Sequence, residues 1–186
     1  MCPIDTSVIV NGGITVYEKN TVLTMYQHFP SIKILLVYSK VNKNIRKNKE
    51  IILAYWPGLK SIVDSINNLS WKSIDVFEQI KDIKGVNTSE LDTIPESYYD
   101  ELVELIHMNQ GLLKMLNVPH GNVDIICAIA QEHFLYGKMT DSRGKLAGKD
   151  SEFMFHLLLL NVENEDISGI MEEFKKHSFS TMVTDS

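Results

Sequence analysis

Apolar residues recur at intervals of three and four through two neighbouring stretches in the middle of the chain. Tyr98, Leu102, Leu105, Leu112 and Leu116 fall near one face, beside Tyr99, Val103, Ile106 and Leu113. That spacing predicts a helix buried along one stripe, and Pro119 ends it. Asn122 is placed to cap a second helix, in which Val123, Ile126, Ile129, Ala130 and Phe134 repeat the spacing until Gly137 stops the run.

The other patterns are shorter. β-prone runs at residues 14–17 and 22–27 predict two strands joined by a turn at Glu18, Lys19 and Asn20. Residues 32–38 are apolar on both sides, as a central strand covered on at least one face should be. From residue 44 to residue 81 the period becomes helical. Pro57 divides that region, with Ile51, Ile52 and Tyr55 before it and Leu59, Ile62, Val63, Ile66 and Leu69 after it. Residues 85–95 are polar and predict a loop.

Residues 152–162 form a nearly continuous apolar strand with His156 at its middle. Asn164, Glu165 and Asp166 then open a short helix striped by Ile167, Ile170, Met171 and Phe174 and closed by Lys175 and Lys176, and residues 179–184 predict a last strand. This order predicts an α+β fold, an antiparallel sheet with helices packed on one face.

Composition narrows the classes of function. A chain of 186 residues, 44% of them hydrophobic, can bury a core as one domain or as one domain with a fragment of another. Its formal charge of -6 argues against a nucleic-acid partner, which needs concentrated positive charge. Of the two cysteines, Cys127 sits among Ile125, Ile126 and Ile129, so neither a disulfide framework nor a zinc site is expected and the setting reads as reducing and cytoplasmic. The longest apolar run, residues 157–160, is too short to cross a bilayer, so no membrane partner is expected either.

Three places carry candidate chemistry. Asp5 precedes a β-prone run and Gly12-Gly13, where a carboxylate either caps the chain or faces a site. The basic run SKVNKNIRKNK, residues 39–49, is either a solvated helix start or an anion-facing turn. The loop TDSRGKLAG, residues 140–148, stands between a helix and a buried strand, where backbone N–H groups can meet a phosphate. Asp141 opposes that use, and Arg143 and Lys145 put side chains where a tight nest needs glycine, so an exposed connecting loop is the other reading. The six histidines have no metal-ligand spacing, and no metal site is expected.

Several segments, in order, resemble the mevalonate kinases of the GHMP kinase superfamily. P-I-D-T-S-V followed by N-G-G-I is similar to the family's S-G-V-D-N-x-V followed by W-G-G. ILLVYSKVNKNIR is similar to its ILLTNTKVPRNTR, and ELIHMNQGLLKMLNVPH to its ELIDMNQ helix and L-G-V-x-H. Lys138-Met139-Thr140 stands where the family has S-K-L-T before G-A-G-G-G-G.

The resemblance implies the ferredoxin-like C-terminal domain of such a kinase over residues 31–186, with residues 1–30 a remnant of the N-terminal kinase domain. It implies ATP and Mg²⁺ as cofactors. The reaction it implies is ATP-dependent phosphorylation of mevalonate to 5-phosphomevalonate, in isoprenoid and sterol precursor synthesis. Asp5 falls on the family's catalytic aspartate. Lys40, Asn44 and Arg46 fall on its basic strand-to-helix turn, and Thr140 and Gly144 on its glycine-rich loop, as substrate- or phosphate-proximal residues.

The departures count too. Cys2 and Pro3 replace Ser-Gly, Thr6 replaces Asn, Ile45 replaces Thr, and the loop keeps Gly144 as its one clear match. The family's N-terminal half, with its main phosphate loop and Mg²⁺ ligands, has no counterpart in this sequence. The resemblance therefore implies a truncated enzyme, inactive as this chain alone. The alternative, from a different class, is a non-catalytic interaction or dimerisation module derived from such a kinase, with exposed apolar surface near residues 1–30 driving a homodimer.

Overall fold

The structure is a computed structural model that describes residues 13–18, 21–26, 29–30, 32–42, 58–86, 94–116, 121–139, 153–160 and 167–185. Strands β1 (Ile14–Glu18) and β2 (Thr21–Tyr26) form an antiparallel hairpin. Strand β3 (Lys33–Asn42) starts a second sheet, joined by β4 (Gly137–Met139), β5 (Phe153–Leu160) and β6 (Ser180–Asp185). The order is β4-β5-β3-β6, and every neighbouring pair is antiparallel. Four helices are described: α1 (Leu59–Val86), α2 (Glu96–Met115), α3 (Gly121–Glu132) and α4 (Ile167–Lys176).

Strand β3 organises the core because both of its faces are apolar. Leu35 and Val37 on one face are fully buried and pack with Ile126, Ile129 and Ala130 of α3, Ile170 and Phe174 of α4, and Leu135 and Phe179 beyond the helices. Each of the larger side chains contributes about 1.5–3 kcal/mol relative to exposure. Ile34, of opposite parity, packs instead against Val76 and Ile80 of α1 and Leu102 and Leu105 of α2. The expectation that helices cover one face is therefore corrected. α3 and α4 cover one side, while the α1–α2 pair meets the other through Ile34.

The stripe of α1 extends beyond its expected members, with Leu59, Ile62, Val76 and Ile80 buried and Val63 turned out. The helix also runs through Gly85 to Val86, so the loop expected from residue 85 begins later. Lys72 and Glu101 bridge α1 and α2 at 2.8 Å on the surface.

Helices α3 and α4 end alike. Phe134 takes φ 57, Leu135 N–H donates to Ala130 O at 2.8 Å, and Phe134 N–H donates to Gln131 O at 3.0 Å. Ser178 takes φ 63, with Phe179 N–H on Phe174 O at 2.9 Å and Ser178 N–H on Lys175 O at 2.8 Å. Both are Schellman endings, each with an apolar residue folded back onto the core. Two expectations for this region are corrected. Phe134 is 87% exposed rather than part of the stripe, because the left-handed turn points it out. Gly137 does not stop the helix; it opens β4, a strand too short to show a period.

The hairpin is tied to α1 by Tyr26. Its hydroxyl donates to Glu78 Oε1 at 2.8 Å, and its ring lies edge-on to Phe29 and Phe77. Burial, followed by the hydrogen bond to Glu78, pushes the phenol well above the usual tyrosine range. Among the described residues no helix is long and apolar enough to cross a membrane.

Candidate functional site

Of the residues singled out from sequence, Lys40 lies in the described structure; Asp5, Asn44, Arg46, Thr140 and Gly144 lie outside the described residues. Lys40 occupies an irregularity in β3. Tyr38 pairs with Phe155 and Asn42 with Phe153, so Ser39, Lys40 and Val41 together oppose Met154. Such a bulge re-aims a side chain. Lys40 adopts φ 58 and is exposed, whereas Ser39 and Val41 on either side are buried.

A left-handed backbone costs a non-glycine residue about 1–2 kcal/mol, and two contacts hold it here. Asn122 Nδ2 donates to Ser39 O at 2.9 Å. Val41 packs with Val123 of α3 and Met139 of β4 in one buried cluster. Asn122 had been expected as a helix cap. The helix begins at Gly121 instead, and the Asn122 amide reaches across to the strand.

The same cluster brings a second predicted segment to this place. Met139 precedes Thr140, and its N–H donates to Gln110 Oε1 at 2.9 Å. Gln110 and its neighbour Asn109 are buried on α2. The flanks of Lys40 and of Thr140 thus meet on Val123, although the sequence holds them far apart. Lys138 is half-buried on β4, and desolvation lowers its ammonium below the usual lysine range. No ion pair holds it among the described residues.

Beside these segments, α2, α3 and β4 enclose a cleft of about 290 Å³ lined in part by His107, Gln110, Lys114, Cys127, Gln131 and Tyr136. His107 meets the Tyr136 ring edge-on at 4.6 Å. Lys114 bonds Asp124 at 2.8 Å on the rim, and that hydrogen bond raises the lysine's pKa. Burial pushes the Cys127 thiol up to about 11, so it is protonated near neutral pH and a poor nucleophile. Among the described residues no group of three or more His, Cys, Asp or Glu could hold a metal ion.

Sequence reasoning missed Gln110, the strand role of Lys138 and the tertiary bond of Asn122. One signal was available. Asn109 follows Leu105 by four residues, so a polar pair sits in phase with the buried stripe, and a polar residue in that phase must find a partner.

No family model matches the chain. It is 24% identical to the mevalonate kinase of Saccharomyces cerevisiae over 136 residues, 66% of this chain and 30% of that protein. It is 22% identical to the mevalonate kinase of Arabidopsis thaliana over 145 residues, 76% of this chain and 35% of that protein. The Methanococcus jannaschii mevalonate kinase structure superposes with a TM-score of 0.62 at 20% identity, covering 96% of this chain and 48% of that one. A second mevalonate kinase structure gives 0.61 at 21% identity with the same coverage. The chain spans about a third of the length of these curated relatives and about half of these solved chains. Over most of its length, then, this chain is similar in sequence and in fold to mevalonate kinases.

Proposed function

We propose that the chain is the phosphate-facing part of a mevalonate-kinase-like phosphotransferase, working with ATP on mevalonate, in the cytoplasm. The observation that carries this reading is the meeting of two segments. The Lys40 bulge and the strand that leads to Thr140 share one buried cluster, and both segments resemble the family's phosphate-side motifs. Lys40 presents an exposed ammonium, a compact charge suited to a phosphoryl oxygen. Asn44, Arg46, Thr140 and Gly144 would extend that surface, and Asp5 would orient the attacking hydroxyl and accept its proton.

We read β3-α3-β4-β5-α4-β6 with order β4-β5-β3-β6 as ferredoxin-like, in a domain over residues 31–186 beside an N-terminal remnant at 1–30. Mg²⁺ is implied by kinship, but no step is assigned to it, because the described residues form no metal set.

Phosphoryl transfer rests on positioning and charge neutralisation, and this chain supplies part of both. Incubation with Mg-ATP and mevalonate, with Asp5→Asn as control, tests the reading. Nucleotide binding without turnover is expected. Turnover abolished by the substitution would overturn the assignment as an incomplete enzyme, and absence of nucleotide binding would overturn the phosphate-facing role.

One observation favours a second reading, an interaction or dimerisation module. Leu23 and Met25 on β2 are 46% and 41% exposed. Light scattering decides it: a homodimer that Leu23→Asp dissociates supports the module, and a monodisperse monomer rejects it.

A further inference from the structure

We propose that Asn122 and Gln110 are the positioning residues of this site, Asn122 for the Lys40 bulge and Gln110 for the strand end that leads to Thr140. The proposal rests on the phosphate-facing reading above. Each carboxamide bonds the backbone of the residue just before a predicted site residue, Ser39 before Lys40 and Met139 before Thr140. The chemistry assigns their roles without ambiguity. A carbonyl oxygen at Ser39 can only accept, so Asn122 must donate; an N–H at Met139 can only donate, so Gln110 must accept.

Several features make these bonds a device rather than incidental contacts. Both amides project from helices, which fix geometry better than loops do. Both bonds flank the Val41, Val123 and Met139 cluster, where excluded water strengthens a hydrogen bond. Lys40 keeps a left-handed backbone, which persists only where its surroundings over-determine it. Finally, the amides are neutral. They hold two backbone segments beside an anion site without adding a charge that would repel the anion or compete for Lys40.

The two positions therefore have opposite requirements: a donor at 122 and an acceptor at 110. Asn122→Asp keeps the shape and removes the donor. Gln110→Met removes the acceptor, and Gln110→Glu restores it. Backbone chemical shifts of Lys40, amide exchange of Met139 and titration of the full chain with inorganic pyrophosphate read the outcome.

Asn122→Asp is expected to abolish the left-handed shift signature at Lys40 and to weaken pyrophosphate binding about fivefold or more. Gln110→Met should speed exchange at Met139 about tenfold and weaken binding similarly, while Gln110→Glu, which restores the acceptor but adds a negative charge, returns the Met139 exchange toward wild type and leaves binding weak. Unchanged Lys40 shifts in Asn122→Asp would overturn the proposal. So would wild-type affinity in either damaging variant, or Met139 exchange as fast in Gln110→Glu as in Gln110→Met. If the wild-type chain itself ignores pyrophosphate, the phosphate-facing reading fails, and the Lys40 and Met139 signatures still decide whether these amides hold the backbone.

Discussion

Helices α3 and α4 leave one layer through the same Schellman ending, yet they feed the two opposite edges of the sheet, and those edges differ. The α4 ending leads to β6, an edge strand whose Met182 is 55% exposed. The α3 ending leads to β4, whose Met139 N–H is bonded by the buried Gln110 and whose Lys138 is drawn in from solvent. A shared device for turning a helix into an edge strand thus serves structure at one edge, while at the other it carries buried polar groups. Polar burial costs stability unless it is satisfied, and on the proposed reading the β4 edge is where function makes its demand.

The largest expected effect tests what the two halves share. Phe174→Ala, at a fully buried position beneath the α4 ending, should cost about 3–5 kcal/mol in urea unfolding, whereas Met182→Ala on exposed β6 should stay within about 0.5 kcal/mol. Equal costs would erase the distinction between core and exposed edge strand. Next, Gln110→Leu should cost about 1–3 kcal/mol, because it leaves the Met139 N–H buried without an acceptor. A neutral result would make the β4 edge as simple as the β6 edge.

The twin endings can be compared directly. Phe134→Gly and Ser178→Gly should each stabilise the fold by about 1 kcal/mol in thermal unfolding, since glycine takes the left-handed turn without strain. The Phe134 change sacrifices little packing, because that ring lies in solvent.

The smallest effect is a pH dependence. Burial lowers the Lys138 pKa, so between that lowered value and the ordinary lysine value of 10.5 the folded chain binds fewer protons than the unfolded one. Its contribution to stability therefore rises as pH climbs through this window. Lys72, Lys114 and Lys176, whose pKa values are raised by Glu101, Asp124 and Glu173, act in the opposite sense at the alkaline end. The difference between wild type and Lys138→Met isolates the first effect: the variant should be the more stable below the window, with its advantage shrinking as pH rises.

Much of the fold was legible because its elements obey a period. The stripes of α1, α3 and α4 and the two-sided apolarity of β3 can be read directly, although β3 was expected to be covered on at least one face and the helices to lie on one. Three residues of β4 have no period to read, and Gly137 served equally well as a helix stop or a strand start. The left-handed turn at Phe134 was hidden because an aromatic residue in phase with a stripe normally joins it.

At the site, Lys40 was found through resemblance. The bonds that hold its backbone were not, since Asn122 has a local use as a cap that competes with its tertiary one. The pairing of Gln110 with Met139 depends on which strand reaches α2, and that is a property of the fold rather than of any local pattern.

The account stands most directly on Lys40 as the cation that meets a phosphoryl group. Calorimetric titration of Mg-ATP into the wild-type chain and into Lys40→Gln, at low and at physiological salt, measures it. Saturable binding that the substitution weakens about tenfold, with a shallower salt dependence in the variant, is the expected result. Equal affinity in the two chains, or no binding in either, would contradict it.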